Sequence, residues 1–337
     1  MKRESPKYLF LGGIREYYCI THTNRAISSS IGGNAIYSAV GARIWSDSVG
    51  ILGRIGSNFD RVKLERFDQV GIDTSNVRVL NQPLSTITFY AYISPEERVD
   101  VNPAFHYRRI NKPMPKALLD YRSSTEGQGN RHNFTPLAIR PTDIPESLHS
   151  VQGVHLAPAD YLSHVTIPPR FHYHDIRWIT LDPSIRYMTP DFKSDLPTLL
   201  HGIDVFLPSE LEASEFFCQG EMDTWEIAEA FGEMGPRIVL IKQGKRGQAL
   251  WDRDSKRRWL IPAYPSKIRD VTGAGDAFCG GFLVGLNETQ DPVEASLRGS
   301  ISSSLVVEGS NALYALGVAP GLTQARLSAL RSGLREV

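Results

Sequence analysis

Short apolar runs that end at glycine alternate along this chain with segments whose apolar residues recur every three or four positions. Tyr8-Leu-Phe-Leu11 reads as a buried strand closed by Gly12 and Gly13. After Gly33 the period changes, and Ile36, Ala39, Val40 and Ile44 form a helical stripe. Val49 to Gly53 is the next strand, and 59–69 is a charged amphipathic helix carrying Val62, Leu64 and Phe67. Residues 84–93, rich in Thr, Ile, Phe and Tyr, read as a strand. The polar stretch Pro95 to Pro103 leads into Ala104 to Tyr107, expected to return as a strand, and 121–136 into a long surface loop. Further strands are predicted at 153–156, 178–181, 205–207 and 237–241, and a hairpin at 247–263. Helices are predicted at 223–234, 274–286, 291–307 and 322–332.

Apolar strands alternating with amphipathic helices predict a mostly parallel sheet covered on both faces, an α/β fold. The segments 17–31 and 84–108 break that rhythm and predict a second, smaller sheet.

Composition narrows the class. The 337 residues carry 37 basic and 37 acidic side chains, so formal net charge is zero. That balance removes the bulk attraction for nucleic acid, and any anion site must be local. The charged turn Arg253 to Arg258 reads as solvated rather than as a nucleic-acid patch. Cys19, Cys218 and Cys279 are too scattered for a disulfide scaffold or a metal knuckle, which suits a cytoplasmic protein. The start, MKRESPKYLF, has no apolar run of signal-peptide length. The uncharged stretch Ala277 to Leu286 falls short of the roughly 20 residues of a membrane span.

The sharpest chemical segment is Arg269-Asp-Val-Thr-Gly-Ala-Gly-Asp-Ala-Phe278. Gly273 and Gly275 permit a tight turn and close approach of a ligand, just before an apolar helix. A helix starting there offers free N–H groups and a positive dipole end to a phosphate. Asp276 at the same point is placed to take a proton from an attacking hydroxyl, the pairing of base and anion hole used in phosphoryl transfer. The competing reading is an Asp that merely caps a helix after a glycine turn. Neither a Walker A pattern nor a Rossmann G-x-G-x-x-G is present.

This segment resembles the C-terminal signature of the PfkB, or ribokinase-like, carbohydrate kinase family, and the resemblance extends over most of the chain. Gly32-Gly33-Asn34 looks like that family's N-terminal signature, Leu181 to Arg186 its D-P-N-x-R segment, and Leu207 to Glu212 its P-N-E-x-E segment. Lys242 to Gly247 looks like its G-x-x-G turn. The resemblance implies one ribokinase-like domain over 1–337, a three-layer α/β/α sandwich with a small β-rich lid from 13–31 and 84–109. It implies a kinase using ATP and Mg²⁺. Asp276 would be the base, and the amides of Gly273, Ala274 and Gly275 would steady the transferring phosphoryl. Glu212 would hold the metal, and Lys242, Gly244, Gly247, Thr272 and Ser209 would lie on the nucleotide side. Gly32, Gly33 and Asn34 would face the sugar. In some members a monovalent cation sits near the place of Asp270 and the 306–310 carbonyls. A homodimer through the lid is a further option.

The sequence departs from the pattern. Ser184 and Ser209 stand where the family has Asn, which shortens the reach of each side chain. Tyr17 stands where many members place a sugar-binding Asp. Phe105 to Arg109 resembles the Tyr/Arg segment of members acting on acidic keto-sugars, so Arg108 or Arg109 is a candidate partner for a substrate carboxylate. His172 and His174 have the spacing of two ligands on one strand face, without a third. The expected function is transfer of the γ-phosphoryl of ATP to a hydroxymethyl group of a sugar or related small molecule. A catalytically weakened binding protein and a structural or regulatory protein on the same scaffold are the rivals.

Overall fold

Central strands of a parallel sheet must be apolar on both faces, and here they are. Tyr8–Leu11 (β1), Val49–Ile55 (β4), Gly153–Leu156 (β8) and Trp178–Leu181 (β9) are buried at every residue. The computed structural model describes residues 5–95, 97–218, 220 and 222–337. The remaining strands are Arg15–Ile20 (β2), Ala26–Gly32 (β3), Ile72–Val79 (β5), Ile87–Tyr92 (β6), Arg98–Val99 (β7), Val205–Phe206 (β10), Ile238–Lys242 (β11), Gln248–Asp252 (β12), Arg257–Ile261 (β13) and Arg335–Glu336 (β14). The helices are Asn34–Arg43 (α1), Val62–Gln69 (α2), Pro103–Arg109 (α3), Tyr161–Thr166 (α4), Leu196–Leu200 (α5), Glu210–Phe216 (α6), Thr224–Glu233 (α7), Ala274–Thr289 (α8), Pro292–Val307 (α9) and Leu322–Arg331 (α10).

Among the described residues the main sheet has ten strands, in the order β14-β13-β12-β11-β10-β9-β8-β1-β4-β5. It is parallel from β11 to β5 and antiparallel from β11 to β14. Alternation along each strand feeds two cores. Tyr8, Phe10 and Leu240 pack under α1, α8 and α9, whereas Leu9, Leu11 and Val239 pack under α5 and α7 on the other face. The result is a three-layer α/β/α sandwich.

Helix α1 is not the one-sided helix its stripe predicts, because Ala35 to Ala42 are all buried. Its neighbour explains this. A Cβ on Gly41 would lie 2.0 Å from the Ala277 carbonyl oxygen, and one on Gly280 would lie 1.8 Å from that of Ser38. The backbones of α1 and α8 therefore touch, which only glycine permits. This contact sets the two helix N-termini side by side.

The small sheet has the order β3-β2-β6-β7. Tyr17 pairs with Thr88, Cys19 with Tyr90, and Tyr92 with Arg98. Arg15, Tyr17, Cys19, Tyr90, Tyr92 and Arg98 thus share one face. That face meets the main body: the Tyr17 hydroxyl donates to Ser310 O at 3.4 Å, and the Tyr92 and Thr272 hydroxyls are 3.1 Å apart. The opposite face carries Tyr18, Ile20, Phe89 and Ala91, covered by Tyr107 and Leu118.

Two sequence expectations are corrected here. Ala104 to Tyr107 is not a strand but lies inside α3, where Pro103 takes the first turn and its missing N–H costs nothing. His172 and His174 do not share a strand face. His172 belongs to the 3₁₀ turn Pro168–Tyr173, started by Pro168 and Pro169, and His174 follows it. The described residues hold no group of three or more His, Cys, Asp or Glu side chains arranged to bind a metal.

Candidate active site

Gly273 starts α8 from a left-handed conformation, φ 79°. A Cβ there would sit 2.1 Å from the Tyr37 ring, so both its conformation and its neighbour demand glycine. The turn exposes the first amides of α8 unevenly. The Ala274 N–H donates to Val271 O at 3.2 Å, so it is not free for a phosphoryl group as expected. Among the described residues the amides of Gly275 and Asp276 make no such bond, and they are the donors a bound anion would meet.

Asp276 stands on that first turn, and its Oδ1 accepts from Asn34 Nδ2 at 3.0 Å. Asn34 opens α1, directly after Gly33. Gly33 has φ 103°, and a Cβ on it would lie 2.3 Å from the Gly13 carbonyl oxygen. Gly32 is equally confined, with the Tyr37 ring 2.8 Å from its Cβ position. Burial raises the Asp276 pKa and the neighbouring Glu212 adds to it, while the Asn34 hydrogen bond, Lys242 and Arg98 oppose the rise.

Lys242, at the end of β11, reaches toward the same point. Its ammonium pairs with Asp182 and lies 3.8 Å from the Cys279 sulfur. It also lies 3.6 Å from where a Gly275 Cβ would be. Burial opposes its charge, but Asp182, Cys279 and Glu212 outweigh it and hold Lys242 firmly protonated. Burial pushes the Asp182 carboxyl up, against the pull of Lys242. Burial and the charge of Asp182 push the Glu212 carboxyl up as well.

Glu212 and Ser209 form the capping box of α6. Glu212 Oε2 accepts from the Ser209 N–H at 2.8 Å and from its hydroxyl at 2.7 Å, and Ser209 Oγ accepts from the Glu212 N–H at 3.3 Å. The Ser in place of Asn therefore builds a cap. The other departure, Ser184, donates to Gln128 at 2.8 Å. One carboxylate oxygen of Glu212 is engaged by the cap, and its second makes no hydrogen bond among the described residues. One or two carboxylates fit a Mg²⁺ that takes its other ligands from phosphates and water, rather than a full protein cage.

Gly244 and Gly247 bound a 3₁₀ turn after β11, with φ 58° and 96°. Space confines only Gly247, whose Cβ would lie 2.0 Å from Ile261 O. The Thr272 hydroxyl lies 3.1 Å from that of Tyr92 on the small sheet. Asp270 accepts from the Thr272 N–H at 3.0 Å, and its own N–H reaches Val307 O at 3.3 Å.

Arg108 and Arg109 are not brought to Asp276. They are exposed on α3, whose buried residue Tyr107 covers the outer face of the small sheet. The arginines on the inner face are Arg15 and Arg98. Strand alternation in 15–19 carried that signal, but only a known pairing of β2 with β6 says which face looks inward. A surface hollow of about 370 Å³ lies beside Glu16 and Leu84, and none of the expected site residues lines it.

A glycine turn that starts a buried helix, an acid on its first turn, and a lysine beside unbonded amides meet at one place on the three-layer α/β fold. Residues 174–316 match the sequence profile of the pfkB family carbohydrate kinases. Over that segment the chain is similar to this family of carbohydrate kinases. It is 25% identical to a cytidine kinase of Thermococcus kodakarensis over 271 residues, 79% of this chain and 84% of the other. It is 26% identical to a 5-dehydro-2-deoxygluconokinase of Clostridium botulinum over 294 residues, 84% of this chain and 82% of the other. An Escherichia coli protein assigned as ribokinase II, solved with ATP and Mg²⁺, shares the fold with a TM-score of 0.69. That match has 16% identity and covers 96% of this chain and 99% of the other. No helix among the described residues is long and apolar enough to cross a membrane.

Proposed function

We propose that this chain transfers the γ-phosphoryl group of ATP to a hydroxymethyl group of a sugar or related small molecule, with Asp276 as the base. The observation that supports this reading best is the hydrogen bond from Asn34 to Asp276, beside two unbonded amides at the start of α8. Asn34 orients one carboxylate oxygen and leaves the other for the substrate hydroxyl. As the proton moves to Asp276, the substrate oxygen attacks phosphorus, and ADP leaves. The amides of Gly275 and Asp276 and the ammonium of Lys242 meet the charge that develops on the phosphoryl oxygens. Glu212 would hold Mg²⁺, which would supply charge neutralisation for the phosphates. The small sheet acts as a lid that excludes water from the reaction. Its Tyr17 and Tyr92 contacts to Ser310 and Thr272 support that role.

The test is ADP release over a panel of sugars, sugar acids and nucleosides. Asp276→Asn should lower kcat by about 10²–10⁴-fold, the range of general-base losses, while ATP binding persists. A variant that matches wild type on a true substrate removes Asp276 from the role.

A further inference from the structure

Arg15 is an inward-facing cation of the small sheet that the phosphoryl-transfer chemistry leaves unused and that no acid among the described residues pairs. It opens β2, packed against the Gly13 backbone with its Nε 3.2 Å from where a Gly13 Cβ would be. Its only hydrogen bond among the described residues is a long one, from Nη2 to Ser124 O at 3.5 Å. No carboxylate among the described residues is within ion-pair distance of it. Asp160, the acid that acts on it most directly, is already engaged by the Thr135 N–H at 2.7 Å and the Thr135 hydroxyl at 2.9 Å. Burial pulls the Arg15 guanidinium below its ordinary pKa. A half-buried guanidinium with one weak acceptor is an unfavourable arrangement that an incoming anion relieves.

The second arginine of this face extends the same feature. The Arg98 guanidinium lies 4.5 Å over the Tyr90 ring, and Tyr90 is also the strongest electrostatic neighbour of Arg15. Arg98 makes no ion pair among the described residues, yet it acts on Asp276. The Arg15 backbone nitrogen lies 2.9 Å from where a Gly33 Cβ would be, one residue before the Asn34 that bonds Asp276, so both arginines belong to the surroundings of that carboxylate.

We infer, on the reading that this chain is a small-molecule kinase, that its acceptor is a sugar acid whose carboxylate is gripped by Arg15, with Arg98 and Tyr90 alongside. The planar guanidinium fork matches a carboxylate in a two-bond geometry. A single negative charge suits the space, since Asp160 and Asp276 border it and repel a phosphate dianion more strongly.

Calorimetry reads this without turnover. The full chain, saturated with Mg²⁺ and a non-hydrolysable ATP analogue, is titrated with six-carbon aldonates and keto-aldonates, their neutral counterparts, the corresponding sugar phosphates, and nucleosides. At least one acid should bind ten-fold or more tightly than its neutral counterpart. Arg15→Gln should weaken that acid by 10- to 100-fold, leave neutral sugars and the nucleotide analogue unchanged, and so erase the preference. Arg15→Lys should restore part of it. The inference is overturned if neutral sugars or nucleosides bind as well as every acid, if sugar phosphates bind best, or if Arg15→Gln keeps the preference. Acid binding that never leads to ADP release refutes the kinase reading and leaves the anion site standing. Turnover of neutral sugars alone does the reverse.

Discussion

Asp276 is an ordinary carboxylate made useful by its neighbours. Burial raises its pKa and so works against the charged form that a base needs. Asn34, Lys242 and Arg98 pull the other way and keep the charged form within reach. The acid limb of kcat/KM should therefore lie above the ordinary Asp pKa of about 4, which a pH–rate profile checks. The arginines give a sharper comparison. Arg108 sits on the outer layer, so Arg108→Gln should leave acid-over-neutral preference within about two-fold, while Arg15→Gln erases it. Competition between one acid and its neutral counterpart measures both. The proposed base was legible in the sequence because a glycine turn, an acid and an apolar helix are contiguous. Arg15 was not, because Tyr90, Tyr121 and Asp160 reach it from separate elements.

At the scale of elements, α8 separates two kinds of glycine. Gly273 is fixed by the fold, with a positive φ and the Tyr37 ring against it. Gly273→Ala should cost roughly 1–3 kcal/mol through overpacking and strain, seen as a melting temperature several degrees lower. Gly275, on the proposed function, is fixed by the phosphoryl group it would face. An added methyl meets nothing closer than the Lys242 ammonium at 3.6 Å, an ordinary contact. Gly275→Ala should therefore melt within about a degree of wild type yet lose most activity, because the methyl fills the place of the phosphoryl group. Thermal melts and ADP release on the same samples distinguish the two effects. Helical and strand periods were readable wherever the apolar pattern was regular. They misled at Ala104 to Tyr107, where Pro103 at the first turn fixed a helix. They also missed β5, whose mixed exposure carries little alternation.

For the whole molecule, the site carries an electrostatic cost that ligand binding relieves. Glu212 titrates from 4.5 when unfolded and higher when folded, because burial and Asp182 disfavour its charge. Between those values the folded state holds the extra proton, so Glu212 takes away stability as pH rises through its folded pKa, and the effect vanishes below 4.5. Glu212→Gln keeps the cap, since an amide oxygen also accepts from Ser209. The variant should be roughly 1–3 kcal/mol more stable than wild type at pH 8 and equal to it at pH 4. It should also gain less in melting temperature from Mg²⁺ with ATP. Denaturant melts across pH would refute this if the difference stayed flat.

By itself the sequence determined the α/β class, the helix whose first turn carries Asp276, and the resemblance to carbohydrate kinases. Each of these rests on residues that are neighbours along the chain, where period, glycine and charge act locally. The tertiary structure alone decided which face of β2 looks toward the base, and that α1 and α8 touch through Gly41 and Gly280. It also decided which arginines face inward from the small sheet. Those outcomes depend on strand register and helix contact, and they join residues as distant as Asn34 and Asp276.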